Sequence, residues 1–243
     1  MTTGPYDAND RTSYVEIARA ESERGEIVLR ERRDADAGDN APAVIELRVN
    51  GVFVMDTFET SSEKGLAQAA LKQVERPRTV AVGGLGLGFT VHEVLADQRV
   101  ERLVVVEIED ALVQWMRDGT VPHGPAYLAD ERLSISVADV RQVVAEAAPG
   151  SLDLVLLDVD NGPDFLVHQE NAAIYEPEFL GDVRSALRDD GVVAVWSSAP
   201  SDRLEQAVAQ VFGGCTSREC PVVLQGRETT YFLYTGQKRG DDG

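Results

Sequence analysis

The stretch VAVGGLGLGFTVHEVL, residues 80–95, decides the fold. A short apolar run leads into the glycines Gly83, Gly84, Gly86 and Gly88, and an amphipathic segment follows. Glycines between a buried strand and a helix let the backbone approach a bound nucleotide or nucleoside closely. The stretch therefore predicts the strand, loop and helix that open a nucleoside-binding α/β domain.

Strands and helices alternate on both sides of this stretch. A helix is predicted at SSEKGLAQAALKQV (61–74), and the apolar runs RLVVVEIE, RLSISVAD, LDLVLLDVD and VVAVWSS read as further strands. Helix-like segments separate them, the longest being PEFLGDVRSALRDDG (177–191), which is predicted to end at Gly191. CPVVLQ and TTYFLYTG close the chain as a hairpin. Such alternation predicts a parallel sheet with helices on both faces.

The first 58 residues show a different pattern. TSYVEIARAES and GEIVLRERR alternate polar and apolar residues, and AVIELRVNGVFVMDT contains Asn50-Gly51, which favours a type I′ hairpin turn. We predict a loose tail at residues 1–12 and a mobile acidic loop at 34–42. The predicted domains are 1–60, a tail and small β unit; 61–238, a nucleoside-binding catalytic domain; and 239–243, a disordered tail.

Composition excludes several classes of protein. The formal net charge of −19 argues against binding to nucleic acid or anionic membranes, which need clustered Lys and Arg. No apolar run is long enough to cross a membrane, and the polar N-terminus is not a secretory signal. The two cysteines in CTSREC and three scattered histidines do not suggest a metal site. We expect a cytoplasmic protein without metal, nucleic acid or membrane partners.

The candidate nucleoside site lies where the predicted parallel strands end, because ligands of such sheets bind beyond their carboxyl ends. The glycine loop follows the first of these strands, Glu107-Ile108 ends the second, and Asp139-Val140 follows the third. A carboxylate at Glu107 can accept hydrogen bonds from ribose hydroxyls, and one at Asp139 can meet an adenine amino group. One adenosine could therefore contact all three features.

The spacing of the glycines separates two nucleoside classes. Dinucleotide folds use G-x-G-x-x-G, and Gly84 and Gly86 satisfy its first half, but Phe89 stands at its third glycine. The observed G-x-G-x-G is more typical of folds that bind S-adenosylmethionine. We therefore expect an S-adenosyl nucleoside rather than a dinucleotide.

With these motifs the chain resembles the spermidine synthases, the polyamine aminopropyltransferases, over roughly residues 13–235. The resemblance includes the β unit and implies a Rossmann-like, S-adenosylmethionine-dependent methyltransferase fold with a seven-stranded sheet. VVVEIE is similar to the family's V-E-I-D, VADV to its G-D segment, LLDVDNGP to its D-x-x-D-P loop and IYEPEFL to its L-Y-x-x-E-F-Y. These matches imply ribose contact by Glu107, adenine contact by Asp139, a catalytic carboxylate at Asp158, and Tyr175 and Phe179 in register.

The chain departs from the family in the part that binds amines. The family's glycine motif G-G-G-D-G-G has an Asp that holds the donor's amine, whereas this chain has Gly86. An acid there would repel an intact donor carboxylate by roughly 4 kcal/mol at about 4 Å and an effective dielectric near 20. Its absence leads us to expect that S-adenosylmethionine fits better here than in a typical member of the family.

Other positions of the amine site also differ. The family's Y-Q reads Tyr14-Val15, and its D-E-x-x-Y-x-E reads roughly SSEKGLAQ, with Leu66 or Ala67 at the Tyr and Gln68 at the last acid. The second Asp of D-x-x-D-P reads Asn161, and its Pro reads Gly162. We nevertheless take Gln68, Asp160 and Tyr175 as the candidate substrate residues.

Three functions follow from this pattern. The first is methyl transfer from S-adenosylmethionine to an unknown small acceptor, with S-adenosylhomocysteine as product and Asp158 as base or donor-binding group. The alternative is aminopropyl transfer from decarboxylated S-adenosylmethionine to putrescine or a related amine, with methylthioadenosine as product. A catalytically silent nucleoside-binding homologue is the third. Edge strands of the β unit suggest a homodimer.

Overall fold

The computed structural model describes residues 12–34 and 42–240. The predicted tail and acidic loop, and the last three residues of the predicted C-terminal tail, therefore fall almost entirely outside the described residues. The chain divides into two compact units, Met1–Phe58 and Glu59–Gly243.

The first unit contains a four-stranded antiparallel sheet in the order β1-β2-β3-β4. Its predicted hairpin turn is confirmed, because Asn50 (φ 51°) and Gly51 (φ 75°) both have the positive φ that a type I′ turn needs. Leu29 and Leu47, which pair across β2 and β3, are almost fully buried. The strands are β1 (Thr12–Ser22), β2 (Gly25–Asp34), β3 (Val44–Val49) and β4 (Val52–Asp56).

The second unit contains the predicted seven-stranded sheet, in the order β10-β11-β9-β8-β5-β6-β7. Strands β5 to β9 run parallel, whereas β11 pairs antiparallel with β9 and β10 antiparallel with β11. The sheet is therefore mixed, not wholly parallel. Its strands are β5 (Thr79–Gly83), β6 (Arg102–Glu107), β7 (Leu133–Val137), β8 (Leu152–Leu157), β9 (Leu187–Ser197), β10 (Thr216–Leu224) and β11 (Arg227–Gln237).

Helices connect these strands and bury their apolar faces. Residues of α5, α6 and α7 join one hydrophobic cluster with β8 and β9, and α1 packs against α2. In the described part of the chain no helix is long and apolar enough to span a membrane. The helices are α1 (Ser61–Leu71), α2 (Phe89–Ala96), α3 (Asp110–Asp118), α4 (Gly124–Tyr127), α5 (Val140–Glu146), α6 (Pro177–Ala186) and α7 (Asp202–Phe212), with a 3₁₀ helix at Gln169–Tyr175.

The end of α6 differs from the sequence-based prediction. The helix stops at Ala186 instead of Gly191, and Leu187 already begins β9. Leu187 is fully buried and pairs with Leu152 of β8, and Asp190 takes a left-handed conformation (φ 64°) that an α-helix cannot contain. Pairing with β8 therefore overrides the helical pattern of the segment.

Candidate active site

The candidate site lies at the carboxyl ends of β5 and β8, where the strand order reverses. From β5 the chain moves to β6 and β7 on one side and then returns to β8 on the other side of β5. Such a switch point opens a crevice between the loops that follow the two strands. The glycine loop follows β5, and Asp158 follows β8.

The glycine loop is held against the end of β8. The Asp158 N–H donates to the Gly83 carbonyl (2.9 Å), and the Gly84 N–H donates to the Val106 carbonyl (2.8 Å). Gly84 has φ +90°, and a Cβ added there would lie 2.0 Å from the Asp158 carbonyl oxygen. Only glycine fits at this position. Gly86 (φ 50°) and Gly88 (φ 85°) also have a left-handed conformation, so three glycines of the loop adopt a backbone conformation that other residues rarely adopt.

Glu107 ties this loop to the end of β6. One carboxylate oxygen accepts the Leu85 N–H (2.8 Å), and the other accepts the Glu109 N–H (2.8 Å). Burial raises the pKa of Glu107, while the backbone N–H groups of Glu109, Leu85 and Ile108 lower it. The carboxylate is therefore placed where the sequence predicts ribose contact, and it also shapes the loop.

Asp139 caps the helix that follows β7. Its carboxylate accepts the Arg141 N–H at the start of α5 (2.8 Å) and forms an ion pair with the Arg141 guanidinium. The next residue, Val140, is buried and packs beside Gly83, where an added Cβ would meet it at 3.0 Å. Asp139 and Val140 thus lie at the same edge of the sheet as the glycine loop, although Arg141 already engages the carboxylate that we expected at adenine.

Asp158 and Glu63 form an acidic pair beside the glycine loop. Thr90 Oγ1 donates to Asp158 Oδ2 (2.8 Å) and lies 3.4 Å from the Glu63 carbonyl oxygen. Burial raises the pKa of Asp158 to about 6, although the hydrogen bond from Thr90 lowers it. Burial and then the charge of Asp158 raise the pKa of Glu63 to about 7. Both groups can therefore exchange protons near neutral pH.

Sequence reasoning missed Glu63. It lies in SSEKGLAQ, the segment matched to the family's D-E-x-x-Y-x-E, and placing D-E on Ser62-Glu63 would have identified it. The sequence-based prediction instead named Gln68, at the end of that segment, as a candidate substrate residue. Gln68 is exposed and donates to Glu93 of α2 (2.8 Å). Five positions from Glu63 is about 140° around a helix, so the structure does not bring Gln68 to the carboxylates.

Asp160 organises the loop that follows β8. Its carboxylate accepts the backbone N–H groups of Asn161 (2.7 Å), Val167 (2.8 Å) and His168 (3.4 Å) and the side-chain amide of Asn171 (2.7 Å). The Asp160 side chain is buried, so these donors occupy the oxygens that we expected to bind substrate. Its observed contacts are those of a residue that holds the loop in shape.

Tyr175 lies close to both aspartates of this loop. Its side chain is buried, and its pKa is raised by burial and by the charges of Asp160 and Asp158. Phe179, which follows one turn later on α6, is buried in the hydrophobic cluster. The structure therefore brings Tyr175 near Asp158, whereas Phe179 packs in the core.

A group of ring side chains packs against the glycine loop and was not predicted. His123 Nε2 lies 2.7 Å from the Leu87 carbonyl oxygen, and the His123 ring contacts Phe89 and Tyr127. The His92 ring stacks on Tyr127 with 4.0 Å between centroids. These residues come from α2, α4 and the turn before α4, so their proximity is not visible in the sequence.

Among residues 12–34 and 42–240, the structure contains no group of three or more His, Cys, Asp or Glu residues that could hold a metal ion.

Comparison with known proteins agrees with this geometry. The Spermine/spermidine synthase domain model matches residues 59–212. The chain is 34% identical over 134 residues to polyamine aminopropyltransferase 2 of Pseudomonas aeruginosa, covering 54% of this chain and 36% of that one. It is 32% identical over 160 residues to the polyamine aminopropyltransferase of Halorhodospira halophila, covering 65% and 55%. It is also 30% identical over 125 residues to putrescine N-methyltransferase 3 of Nicotiana tabacum, covering 51% and 31%.

Solved structures show the same fold. A crystal structure of spermidine synthase in complex with the transition-state analogue AdoDATO matches with a TM-score of 0.76 at 19% identity, covering 93% of this chain and 74% of that chain. Spermidine synthase from Thermotoga maritima matches with a TM-score of 0.75 at 19% identity, covering 93% and 73%. The fold is thus the predicted Rossmann-like methyltransferase type. The matched segments span between about a third and just over half of the curated relatives' own length.

The domain match covers most of the chain and includes the glycine loop, Glu107, Asp139 and Asp158. The fold agrees with it, since the two spermidine synthase structures match over 93% of this chain. The chain belongs to the spermine/spermidine synthase family.

Proposed function

We propose that the protein is an aminopropyltransferase, which moves the aminopropyl group of decarboxylated S-adenosylmethionine to putrescine or a related amine. The observation that carries the proposal is the half-buried Asp158 carboxyl, which accepts a hydrogen bond from Thr90 while the Asp158 backbone lies against the glycine loop at the switch point of the sheet. The relatives named polyamine aminopropyltransferases support this reaction over the methyl transfer that the sequence first suggested.

The chemistry asks one group to accept a proton. The acceptor nitrogen attacks the carbon beside the sulfonium, an N–C bond forms, and the C–S bond breaks with its electron pair going to sulfur. Methylthioadenosine leaves, and the nitrogen loses a proton. A free alkylammonium has a pKa of about 10.4 and has no lone pair, so a nearby base must first take one proton from it before the nitrogen can attack. Asp158, with a pKa of about 6, is mostly ionised at neutral pH and can orient the amine and take the proton.

The nucleoside part of the donor fits the other strand ends. Glu107 is buried at the end of β6, and a carboxylate has about four lone-pair sites, so one is left for a ribose hydroxyl besides the three backbone N–H groups of Glu109, Leu85 and Ile108. The left-handed glycines Gly84 and Gly86 are half-buried and carry no side chain that would keep a ligand away from the loop backbone. We expect Gly83, Gly84, Gly86, Gly88, Glu107, Ile108, Asp139 and Val140 to line the nucleoside site.

Methyl transfer from S-adenosylmethionine is the second candidate. Gly86 favours it, because the loop position where the family has an Asp carries no charge to repel the donor's carboxylate. The relatives also include proteins named putrescine N-methyltransferase, which supports methyl transfer as a candidate. Both candidates use an S-adenosyl donor and, on this proposal, an amine acceptor.

One assay separates the two reactions. The protein is incubated with putrescine and either decarboxylated S-adenosylmethionine or S-adenosylmethionine, and products are identified by mass spectrometry. Spermidine with methylthioadenosine supports aminopropyl transfer, while methylated putrescine with S-adenosylhomocysteine supports the second candidate. Binding of methylthioadenosine without turnover of either donor would mean a silent homologue and would overturn both.

Assembly and location are also proposals. Within the described sheet of the first unit, β1 is an edge strand with the exposed apolar residues Tyr14, Val15 and Ile17. We expect a second copy to cover this edge and form a homodimer, since an exposed apolar edge strand otherwise invites aggregation. Light scattering during gel filtration measures the mass directly.

The acidic composition is consistent with a cytoplasmic protein that does not bind nucleic acid.

A further inference from the structure

Glu63 has an environment that a helix-terminal acid does not need. An acid in the first turn of a helix stabilises the helix through its interaction with the helix dipole. It can do so while exposed to water, as Glu178 of α6 is. Glu63 occupies the first turn of α1, but it is only 6% exposed. Burying a carboxylate without a cation costs free energy that the dipole alone does not offset.

No lysine or arginine of the described residues is among the groups that shift the pKa of Glu63. Its carboxyl accepts hydrogen bonds from Ser62 (2.7 Å) and from its own backbone N–H, and the acids Asp158 and Glu59 raise its pKa. In the part of the chain that the structure describes, the pKa of Asp158 is shifted by burial and by Thr90, not by a lysine or arginine. The nearby Lys64 ammonium instead lies over the Phe89 ring, 5.7 Å from its centroid. A buried carboxyl and a half-buried one therefore lie together next to the glycine loop, without a lysine or arginine of the described residues among the groups that shift their pKa values.

We propose that Glu63 is a second amine-binding residue of the site, which together with Asp158 receives one primary ammonium group of the donor or the acceptor. The inference rests on the proposed function and names a further residue that binds an amine in the same site. Thr90 holds the Asp158 carboxyl close to the first turn of α1, since its hydroxyl contacts both Asp158 Oδ2 and the main-chain carbonyl oxygen of Glu63. The charge that Gly86 does not supply from the glycine loop is then supplied by α1.

The consequence concerns donor selection. An ammonium group between two carboxylates gains charge-assisted hydrogen bonds, whereas a donor carboxylate in the same place would be repelled. Where the ammonium is the donor's, Glu63 favours decarboxylated S-adenosylmethionine over S-adenosylmethionine. The expectation drawn from Gly86 alone is reversed, because it considered only the loop and not the helix beside it.

Calorimetry on the 243-residue chain tests the proposal without turnover. The ligands are methylthioadenosine, which lacks the amine; decarboxylated S-adenosylmethionine; S-adenosylmethionine; and putrescine added to the methylthioadenosine complex. Glu63→Gln keeps the size of the side chain and removes its charge, and Glu178→Gln makes the same change at an exposed first turn. We expect Glu63→Gln to weaken one amine ligand about 10- to 100-fold and methylthioadenosine less than about twofold.

The results distinguish the possible sources and failures. A loss with decarboxylated S-adenosylmethionine assigns the ammonium to the donor, and a loss only with putrescine assigns it to the acceptor. Unchanged affinities for all ligands, or an equal loss with methylthioadenosine, would overturn the role of Glu63 and leave the proposed function intact. If the wild-type protein binds neither amine ligand, the proposed function fails first, and the inference fails with it.

Discussion

The α-carbon of Gly84 lies against the carbonyl of Asp158, so closely that a Cβ on Gly84 would be 2.0 Å from that oxygen. The same contact joins the loop after β5 to the end of β8, and it places the candidate catalytic carboxyl beside the candidate nucleoside loop. The site therefore depends on a close approach between two backbone segments. Any side chain at Gly84 would prevent this approach.

Gly84→Ala should destabilise the protein more than a left-handed backbone alone explains. Gly213→Ala is the matched control, because Gly213 also has a positive φ (+78°) but an added Cβ there meets nothing within 4 Å. We expect a loss of about 1 kcal/mol in the free energy of unfolding for Gly213→Ala and about 3 kcal/mol or more for Gly84→Ala. Urea denaturation measures both, and equal losses would contradict the close approach.

Asp158→Asn should slow catalysis without removing nucleoside binding. The amide oxygen can still accept the hydrogen bond from Thr90, but the group can no longer take a proton. We expect kcat to fall about 10²- to 10⁴-fold, with the methylthioadenosine affinity changed less than about threefold. Asp164→Asn, at an exposed position of the same loop, should leave kcat unchanged. A near-normal kcat for Asp158→Asn would exclude Asp158 as the base.

Glu63 should make stability depend on pH in an identifiable direction. Its pKa is about 7 in the folded protein and about 4.5 ordinarily, so the folded state binds more protons between these values. The stability that this contributes is present below about pH 4.5 and is lost as the pH rises through about 7. Glu63→Gln cannot titrate and does not show this loss.

We therefore compare wild type with Glu63→Gln by denaturation from about pH 4.5 to about pH 8. Relative to the variant, the wild type should lose up to about 3 kcal/mol of unfolding free energy over this range. Glu178→Gln should follow the wild type within about 0.5 kcal/mol at each pH. A constant difference between wild type and Glu63→Gln would show that Glu63 does not titrate there.

Glu107→Gln should weaken nucleoside binding and loosen the glycine loop together. Both carboxylate oxygens accept backbone N–H groups, and a glutamine amide would turn one of these acceptors into a donor facing a donor. We expect the methylthioadenosine affinity to fall about 10- to 100-fold. Glu101 is an exposed residue just before the first residue of β6, and Glu101→Gln should leave the methylthioadenosine affinity unchanged. Calorimetry gives both values, and an intact affinity for Glu107→Gln would argue against a nucleoside at this strand end.

Gly86→Asp should sharpen the choice between donors. Aspartate tolerates the left-handed backbone at this position (φ 50°) better than most residues. Its carboxylate should raise the affinity for decarboxylated S-adenosylmethionine relative to S-adenosylmethionine by about 10-fold or more. Competition calorimetry with the two donors measures the ratio. An unchanged ratio would mean that the donor's alkyl chain does not pass this part of the loop.

Local pattern was enough to predict part of the site. The glycine loop, Glu107 and Asp158 each stand at the end of a recognisable strand, and parallel strands bring their carboxyl ends to one edge of the sheet. Gln68 and Glu63 show where this reasoning fails, because residues of one helix differ by which face they turn to the sheet. The end of α6 fails for a related reason, since pairing of Leu187 with β8 competes with the local helical pattern.

The sequence by itself determined the order of strands and helices, the hairpin at Asn50-Gly51 and the loop of left-handed glycines, because each depends on residues that are neighbours in the chain. Only the tertiary structure decided that Glu63 lies beside Asp158, that His123 contacts the glycine loop and that Asp160 holds its own loop. These contacts join distant segments, so their geometry is set by how helices pack on the sheet. The charge around the candidate amine site depends on that packing.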